Sequence, residues 1–100
     1  ERIIVDPGLG FAKTVEASWE ILAHTAELLQ RCKYPVLIGH SRKRFVQAIA
    51  DDTISVDDLT AAITTLVSAQ GAWAVRVHEA KGNAAAIRAG TRWLRATMEQ

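Results

Sequence analysis

The amino-acid sequence predicts a parallel α/β fold made of three strand–helix units. Two observations support this: three short apolar runs, and an amphipathic helix pattern after each of them. Strand–helix–strand connections of this kind are right-handed and place the strands parallel in one sheet. A (β/α)8 barrel uses about 250 residues, or about 31 per unit, so this chain holds about three units. Because three parallel strands cannot close, we expect part of a barrel or of a larger open sheet, with two unpaired edges.

The three predicted strands are short and lack polar alternation. The apolar runs 3–5, 35–38 and 73–77 are rich in β-branched residues, and turn or polar residues follow each of them. Parallel strands that are covered on both faces have this composition. We therefore expect all three strands to be buried.

The helices in the first half of the chain are predicted from apolar periodicity. Apolar residues share one helical face over 15–29, and Thr14 precedes them as an N-cap. His24 lies within this helix pattern and is expected to be a surface or packing residue. A short helix is predicted over 44–50, and the stretch 51–53 is predicted to be a loop.

Two further helices are predicted in the second half. Ser55 and Asp58 have the spacing of a capping box, and Gly71 closes the apolar pattern that follows them. The last helix is expected to begin after Gly82-Asn83. A glycine inside a helix is unfavourable, so Gly90 is expected to weaken this helix.

Composition excludes several classes of function. Twelve Lys and Arg against eleven Asp and Glu leave a formal net charge of +1, which provides no field to hold nucleic acid or an anionic membrane. No apolar run approaches the ~20 residues that span a bilayer. The single cysteine, Cys32, cannot form an internal disulfide and favours a reducing, cytoplasmic compartment. Because the chain begins at Glu1 without Met or a leader, we expect a trimmed start or a segment of a longer protein.

Polar residues lie at the carboxyl end of each predicted strand. Asp6 ends the first strand, Ser41-Arg42-Lys43 follows the second, and Arg76 and His78 lie on the third. Loops at the carboxyl ends of parallel strands converge on one crevice, where ligands bind. We therefore expect these side chains to meet. The spacings typical of zinc sites and of a serine nucleophile elbow are absent from the sequence.

Three blocks at these strand ends are specific in combination: Asp-Pro-Gly-Leu-Gly-Phe-Ala-Lys from Asp6, Ile-Gly-His-Ser-Arg-Lys-Arg-Phe from Ile38, and Arg-Val-His-Glu from Arg76. They resemble dihydropteroate synthase, a pterin-binding barrel family in which the same three blocks occur in the same order and with similar separations. The resemblance covers the whole chain and implies the last three βα units of a (β/α)8 barrel. Residues 1–100 would be the C-terminal part of a single pterin-binding domain. The amino-acid sequences of the first two blocks are more similar to those of the actinobacterial branch of the family.

The resemblance implies a transferase of folate biosynthesis and a sulfonamide target. The family condenses 6-hydroxymethyl-7,8-dihydropterin pyrophosphate with p-aminobenzoate to 7,8-dihydropteroate and releases pyrophosphate. No protein nucleophile is required, because positioning and electrostatics assist the breaking C–O bond. The resemblance also implies a homodimer and a Mg²⁺ ion whose asparagine ligand is expected upstream of this chain. The 100-residue chain alone is expected to be inactive.

Four matching residues are assigned by the resemblance to the pterin and the pyrophosphate. Asp6 would accept hydrogen bonds from the pterin amino group and ring N–H, and Lys43 would donate to the pterin and contact the aminobenzoate. Arg76 would stack on the pterin and reach the pyrophosphate. His78 would bind the leaving pyrophosphate and could give it a proton. Lys43, Arg76 and His78 are thus the predicted catalytic residues.

Three more residues are assigned by the resemblance to substrate binding. Ser41 would receive the aminobenzoate carboxylate, and Phe11 would form an apolar wall for the aminobenzoate ring. Gly39 is expected to let the backbone approach a ligand closely. His40 occupies a position where the family often has a smaller residue, so it would crowd the mouth of the pocket or face solvent.

Each assignment has a structural alternative. Asp6 could cap the Pro-Gly turn, and Lys43 could be a solvated helix start. Ser41 could be the N-cap of the helix at 44, a role that is compatible with binding. Arg76 could pair with Glu79, which stands where the family commonly has Asp.

Two other functions are also consistent with a pterin-binding barrel. One is a paralogue that keeps the scaffold and acts as a non-catalytic binding or interaction protein. The other is a corrinoid-linked pterin methyltransferase domain. The Ser-Arg-Lys and Arg-Val-His blocks argue against the methyltransferase, which has no aminobenzoate carboxylate or pyrophosphate to bind.

Overall fold

The structure is a computed structural model that describes residues 3–9 and 14–99. In this part of the chain, helices alternate with short strands in the order α1, α2, β1, α3, α4, β2 and α5. Their bounds are Val15–Ala23 for α1, Thr25–Arg31 for α2, Leu37–Ile38 for β1, Arg44–Gln47 for α3, Val56–Ala69 for α4, Ala74–Val75 for β2 and Ala80–Met98 for α5.

The three predicted strands lie side by side and parallel. β1 pairs with β2 in parallel register, with Leu37 opposite Ala74. Val5 forms a parallel bridge to Val36 on the other side of β1. The backbone N–H of Val5 donates to the Pro35 carbonyl at 2.8 Å, and the Leu37 N–H donates to the Val5 carbonyl at 2.8 Å. The predicted parallel arrangement is therefore confirmed.

Only the middle strand is buried as the sequence predicted. Val36 and Ile38 are 2% and 0% exposed, whereas Ile4 is 52% and Trp73 is 58% exposed. The prediction of three buried strands is wrong for the outer two. Within the described residues each outer strand has a neighbour on one side alone, so part of its apolar surface stays uncovered.

The first predicted helix is interrupted. Thr14 is its N-cap as expected, because the Thr14 Oγ1 accepts from the Ala17 N–H at 3.0 Å. The helix then breaks at His24, an exposed residue that separates α1 from α2. The Thr25 hydroxyl donates to the Ile21 carbonyl at 3.4 Å. A threonine that bonds the carbonyl four residues earlier favours a bend, and the apolar pattern contains no sign of it.

α3 ends three residues earlier than predicted, and the loop after it is confirmed. Asp51 Oδ1 accepts from the backbone N–H of Thr53 at 2.8 Å and of Ile54 at 2.9 Å. This Asx turn reverses the chain and fixes the loop before α4. The same hydrogen bonds, with one from the Thr53 hydroxyl as the largest contribution, lower the pKa of the Asp51 carboxyl.

α4 begins as predicted, but α5 begins earlier than predicted. Ser55 Oγ accepts from the Asp58 N–H at 3.1 Å and is the N-cap of α4. The N-cap of α5 is Glu79, whose carboxylate accepts from the N–H groups of Lys81 and Gly82, both at 2.8 Å. Glutamate is not among the preferred N-cap residues, so the sequence pattern misplaced the start of α5.

Gly90 lets α5 pack directly against α4. A Cβ atom at Gly90 would lie 2.6 Å from the Ser68 Cβ, 2.6 Å from the Thr65 carbonyl oxygen and 3.0 Å from the Ala69 N. These distances are far below van der Waals contact, and two of them involve backbone atoms. The glycine that was expected to weaken the helix is therefore the residue that permits the close crossing of the two helices.

The core lies between β1 and the helices α1, α3 and α4. Its buried members are apolar side chains, and Trp19 packs edge-on against Phe45 with ring centroids 5.1 Å apart. Within the described residues, no helix is long and apolar enough to cross a membrane. The buried core residues are Leu9, Leu22, Val36, Ile38, Phe45, Val46, Ile63 and Val67.

Candidate active site

Asp6 and Arg76 meet at the carboxyl ends of the two outer strands. Asp6 follows the bridge residue Val5, and Arg76 follows β2 directly. Their side chains form an ion pair of 3.4 Å between Asp6 Oδ2 and Arg76 Nη2, and they are 38% and 62% exposed. Seventy residues separate the two in sequence. The predicted convergence of these strand ends is present in the structure.

Gly39 lies beneath the guanidinium group of Arg76. A Cβ atom at Gly39 would lie 2.7 Å from Arg76 Nη2 and 3.2 Å from Arg76 Cζ. The group that approaches the open backbone of Gly39 in the structure is thus a side chain of the same protein. The absence of a side chain here lets the guanidinium lie over the end of β1 and reach Asp6.

Asp6 also has the structural role that was its alternative. Asp6 Oδ1 accepts from the Gly8 N–H at 2.8 Å, and Gly8 has a positive φ of 73°. One carboxylate oxygen therefore holds the turn, while the other faces Arg76. The alternative pairing of Arg76 with Glu79 is wrong, because Glu79 caps α5.

Ser41 and His78 are joined by two hydrogen bonds. Ser41 Oγ lies 2.7 Å from His78 Nδ1, and it accepts from the His78 backbone N–H at 3.1 Å. Ser41 is 5% exposed, whereas His78 is exposed. The alternative of Ser41 as the N-cap of α3 is wrong, because Lys43 occupies that position without a capping side chain.

Lys43 lies on the same turn as Ser41. Its backbone N–H donates to the His40 carbonyl at 3.2 Å, and its side chain is half-buried. The turn therefore places the predicted lysine directly at the start of α3, two residues beyond Ser41.

Arg42 holds this turn in an unusual conformation. Its φ is 55°, a left-handed value that costs about 1 kcal/mol for a non-glycine residue. Arg42 Nε and Nη2 donate to the two carboxylate oxygens of Asp57 at 2.9 and 3.0 Å. Gln47 Nε2 donates to the Arg42 carbonyl at 2.7 Å. These bonds tie the turn to α3 and to the first turn of α4.

The sequence patterns did not indicate the Arg42–Asp57 pair. The two residues are 15 positions apart, on a loop and a helix whose relative placement depends on the tertiary fold. The hydrogen bond from Arg42 lowers the pKa of the Asp57 carboxyl. The same bond raises the pKa of the Arg42 guanidinium.

His40 is buried inside the protein. It is 0% exposed, and its Nε2 lies 3.0 Å from the Thr60 carbonyl and 2.9 Å from Thr64 Oγ1. Both predicted positions, at the mouth of the pocket and in solvent, are wrong, because the ring packs against α4. Burial lowers the pKa of His40, although hydrogen bonds to the Thr60 and Ile38 backbones oppose this effect.

A buried polar network continues from His40 to the start of α5. The Thr64 hydroxyl donates to Asn83 Oδ1, and Asn83 Nδ2 donates to the Glu79 carbonyl at 2.7 Å. Thr64 and Asn83 are 0% and 1% exposed. Hydrogen bonds therefore link the end of β1, the helix α4 and the N-terminus of α5. At α5 the network ends on Glu79, the residue that follows His78 in sequence.

The predicted residue Phe11 lies outside the described residues. The described part of the chain, 3–9 and 14–99, contains no group of three or more His, Cys, Asp and Glu side chains that could hold a metal ion. Of the acidic residues at the site, Asp6 bonds Gly8 and Arg76, and Glu79 caps α5. These residues do not form a Mg²⁺ site by themselves.

Comparison with known proteins identifies the family. The family model described as "pterin binding enzyme" matches residues 1–78. The chain belongs to this family. A dihydropteroate synthase of Mycobacterium leprae is 39% identical over 101 residues, which cover 94% of this chain and 35% of that protein.

Two solved structures of family members have the same fold over this segment. The dihydropteroate synthase of Anaplasma phagocytophilum, with bound 6-hydroxymethylpterin-monophosphate, is 37% identical with a TM-score of 0.81 and covers 92% of this chain. The enzyme of Yersinia pestis in a sulfonamide drug complex is 31% identical with a TM-score of 0.81 and covers 93%. The predicted resemblance and the predicted fold class, part of a (β/α)8 barrel, are confirmed.

The chain spans about a third of the length of these relatives: 35% of the Mycobacterium leprae protein, 36% of the Anaplasma phagocytophilum chain and 34% of the Yersinia pestis chain. The domain assignment of residues 1–100 stays a prediction. The branch of the family and the roles of the individual site residues also stay predictions.

Proposed function

We propose that this chain supplies part of the active site of a dihydropteroate synthase. The enzyme condenses 6-hydroxymethyl-7,8-dihydropterin pyrophosphate with p-aminobenzoate and releases pyrophosphate. The observation that supports this most strongly is the meeting of Asp6 and Arg76 across the strand ends, at 3.4 Å, within the region that matches the family model. Relatives with the name dihydropteroate synthase support the same conclusion.

Asp6 and Arg76 are suited to bind the pterin. Their ion pair is long and partly exposed, and such pairs contribute only about 0–1 kcal/mol, so a ligand can replace the contact. The Asp6 carboxylate would then accept hydrogen bonds from the pterin amino group and ring N–H, one at each oxygen, while Oδ1 also keeps its bond from the Gly8 N–H. The planar guanidinium of Arg76, lying over Gly39, offers a face on which the ring can stack.

Arg76 and His78 are suited to bind the pyrophosphate. The negative charge on the leaving group grows as the C–O bond breaks, and fixed donors that face this charge lower the barrier. A guanidinium binds phosphate oxygens through several N–H groups, and the imidazole of His78 adds a further donor. Lys43, two residues beyond Ser41 on the same turn, would contact the pterin and the aminobenzoate.

The remaining features of the proposed enzyme come from its family. We propose that Mg²⁺ binds the pyrophosphate through a ligand outside this chain, and we assign no step to it. Ser41 and Phe11 would contact the aminobenzoate, and a family member is known with a sulfonamide, which supports sulfonamide binding here. We further propose a cytoplasmic homodimer with small-molecule substrates, without nucleic-acid or membrane partners, in line with the net charge of +1.

Pyrophosphate release by the natural-length protein tests this proposal. Asp6→Ala and Lys43→Ala are expected to lower the rate at least about 100-fold, since each removes a charged contact to the reacting substrate. Asp52→Ala and Lys81→Ala, at exposed positions outside the site, are matched controls and should retain the rate. Near-unchanged rates in the first two variants would contradict the site assignment. Pterin binding without any pyrophosphate release would instead support the non-catalytic paralogue.

A further inference from the structure

The two hydrogen bonds between Ser41 and His78 restrict where the Ser41 proton can be. A backbone N–H can only donate, so Ser41 Oγ is the acceptor in its 3.1 Å bond with the His78 N–H. A serine hydroxyl has a single proton to donate. The 2.7 Å contact between Ser41 Oγ and His78 Nδ1 therefore involves either the Ser41 proton or a proton on Nδ1.

The burial of Ser41 separates these two arrangements. If Nδ1 is unprotonated, the Ser41 hydroxyl donates to it, and both polar groups are satisfied. If Nδ1 has the proton, Ser41 Oγ accepts twice from His78 and its own proton needs another acceptor. In the described part of the chain Ser41 Oγ has no hydrogen-bond partner outside His78, and Ser41 is 5% exposed. An unpaired buried donor is costly, so the first arrangement is favoured.

We propose that Ser41 is a positioning residue that holds neutral His78 as the Nε2–H tautomer. The hydroxyl fixes Nδ1 as an acceptor and sets the ring orientation. The second bond, from the His78 backbone N–H to Ser41 Oγ, fixes the position of the His78 backbone. The Nε2–H then points away from Ser41 as a donor. A hydrogen bond at one imidazole nitrogen determines what the other nitrogen can do.

This arrangement changes the role of Ser41 in the site. Its only proton is donated to His78, so the hydroxyl cannot donate to an aminobenzoate carboxylate at the same time. The hydroxyl would therefore act on the reaction through His78 and the leaving pyrophosphate, and the aminobenzoate contact proposed above for Ser41 would be made by its backbone N–H. This consequence depends on the proposed function, whereas the tautomer itself does not.

Nitrogen-15 NMR of the imidazole rings tests the tautomer directly. The natural-length protein, labelled at histidine, is measured at rising pH until the imidazole spectra stop changing, so that the neutral rings are observed. We expect His78 to show a protonated Nε2 and an unprotonated, hydrogen-bonded Nδ1, assigned by the loss of its signals in His78→Gln. Ser41→Ala should move the Nδ1 signal to that of a bare nitrogen, and Ser41→Thr should keep it. A protonated Nδ1, or an Nδ1 signal that is unchanged in Ser41→Ala, would overturn the proposal.

The rate of pyrophosphate release tests the consequence for the reaction. Ser41→Ala should lower kcat about tenfold, the effect of losing one hydrogen bond, with little change in KM for the pterin substrate. Ser41→Thr should restore most of the rate. Ser18→Ala removes another buried serine hydroxyl, on α1, and should change neither the rate nor the His78 signals.

The two measurements separate the two proposals. The expected NMR signals in a protein that releases no pyrophosphate would overturn the proposed function and support the tautomer. Normal pyrophosphate release with a protonated His78 Nδ1 would support the proposed function and overturn the tautomer.

Discussion

The guanidinium of Arg76 occupies the space that a side chain at Gly39 would fill, with Arg76 Nη2 2.7 Å from an ideal Cβ position. The same Nη2 is the atom that faces Asp6 at 3.4 Å. The glycine at the end of β1 therefore determines where the arginine at the end of β2 can lie. Through Arg76, Gly39 also influences the acidic residue on the opposite outer strand.

Gly39→Ala should impair function with little effect on stability. The new Cβ would collide with the end of a flexible side chain, so Arg76 can move aside at small cost, but it then leaves Asp6. We expect pterin binding to weaken about tenfold or more, because the stacking face and the charge are displaced. Calorimetric titration with a hydroxymethylpterin phosphate measures the affinity, and thermal unfolding measures the stability. Wild-type affinity in this variant would contradict the assignment of Arg76 to the pterin.

Unlike Gly39→Ala, the substitution Gly90→Ala should lower the stability of the fold. The added Cβ would lie 2.6 Å from the Thr65 carbonyl oxygen and 3.0 Å from the Ala69 N, and backbone atoms of α4 cannot move aside as a side chain can. Overpacking typically costs about 1–3 kcal/mol, offset by about 1 kcal/mol from the better helix propensity of alanine. We expect a net loss of about 1 kcal/mol in the free energy of unfolding, measured with urea. A more stable Gly90→Ala variant would show that α4 and α5 are less closely packed than described.

The left-handed conformation of Arg42 predicts an order of stabilities. Arg42→Ala loses the bonds to Asp57 and keeps the strained φ of 55°. Arg42→Gly also loses those bonds but adopts this φ without strain. The melting temperature should therefore fall from wild type to Arg42→Gly and fall further in Arg42→Ala. A glycine variant that melts below the alanine variant would contradict the strain at this position.

The Arg42–Asp57 pair also predicts a dependence on pH. The folded protein holds the pKa of Asp57 below its ordinary value because of the hydrogen bond from Arg42. A carboxyl with a depressed pKa stabilises the fold above its unfolded pKa, about 3.9, and loses this effect as the pH falls through the folded value. The difference in unfolding free energy between wild type and Asp57→Asn should thus be present at pH 7 and shrink below about pH 4. A difference that does not change with pH would rule out the charged interaction.

Buried His40 predicts a second pH dependence in a different range. Burial lowers the pKa of His40 in the folded protein, while the unfolded chain takes up a proton near pH 6.5, roughly the ordinary value. Stability should therefore fall as the pH drops below about 6.5, because the unfolded state binds a proton that the folded state does not. His40→Leu should flatten this part of the curve of unfolding free energy against pH. Exposed His24 is the control, and a His24→Leu variant should keep the slope; loss of the slope in that variant alone would contradict the assignment to His40.

The sequence predicted those features that depend on local patterns. The parallel order of the strands follows from the alternation of apolar runs and helices, and the caps Thr14 and Ser55 follow from their residue types. The meeting of Asp6 and Arg76 follows from a general property of parallel sheets, that strand ends share one edge.

The features that the sequence did not predict depend on tertiary contacts. His40 looks like a loop residue in sequence, and its burial depends on the threonines that α4 places beside it. Gly90 looks unfavourable within a helix until α4 lies against it. Asp57 looks like a favourable acid at a helix start, and its bond to Arg42 depends on a turn conformation that no local pattern indicates.

A crystal structure of the natural-length protein with its pterin pyrophosphate substrate tests the central claim most directly. We expect the pterin amino group to bond Asp6, the pterin ring to lie against Arg76, and the phosphates to lie between Arg76 and His78. A pterin bound elsewhere on the barrel, with Asp6 and Arg76 still paired to each other, would contradict the account.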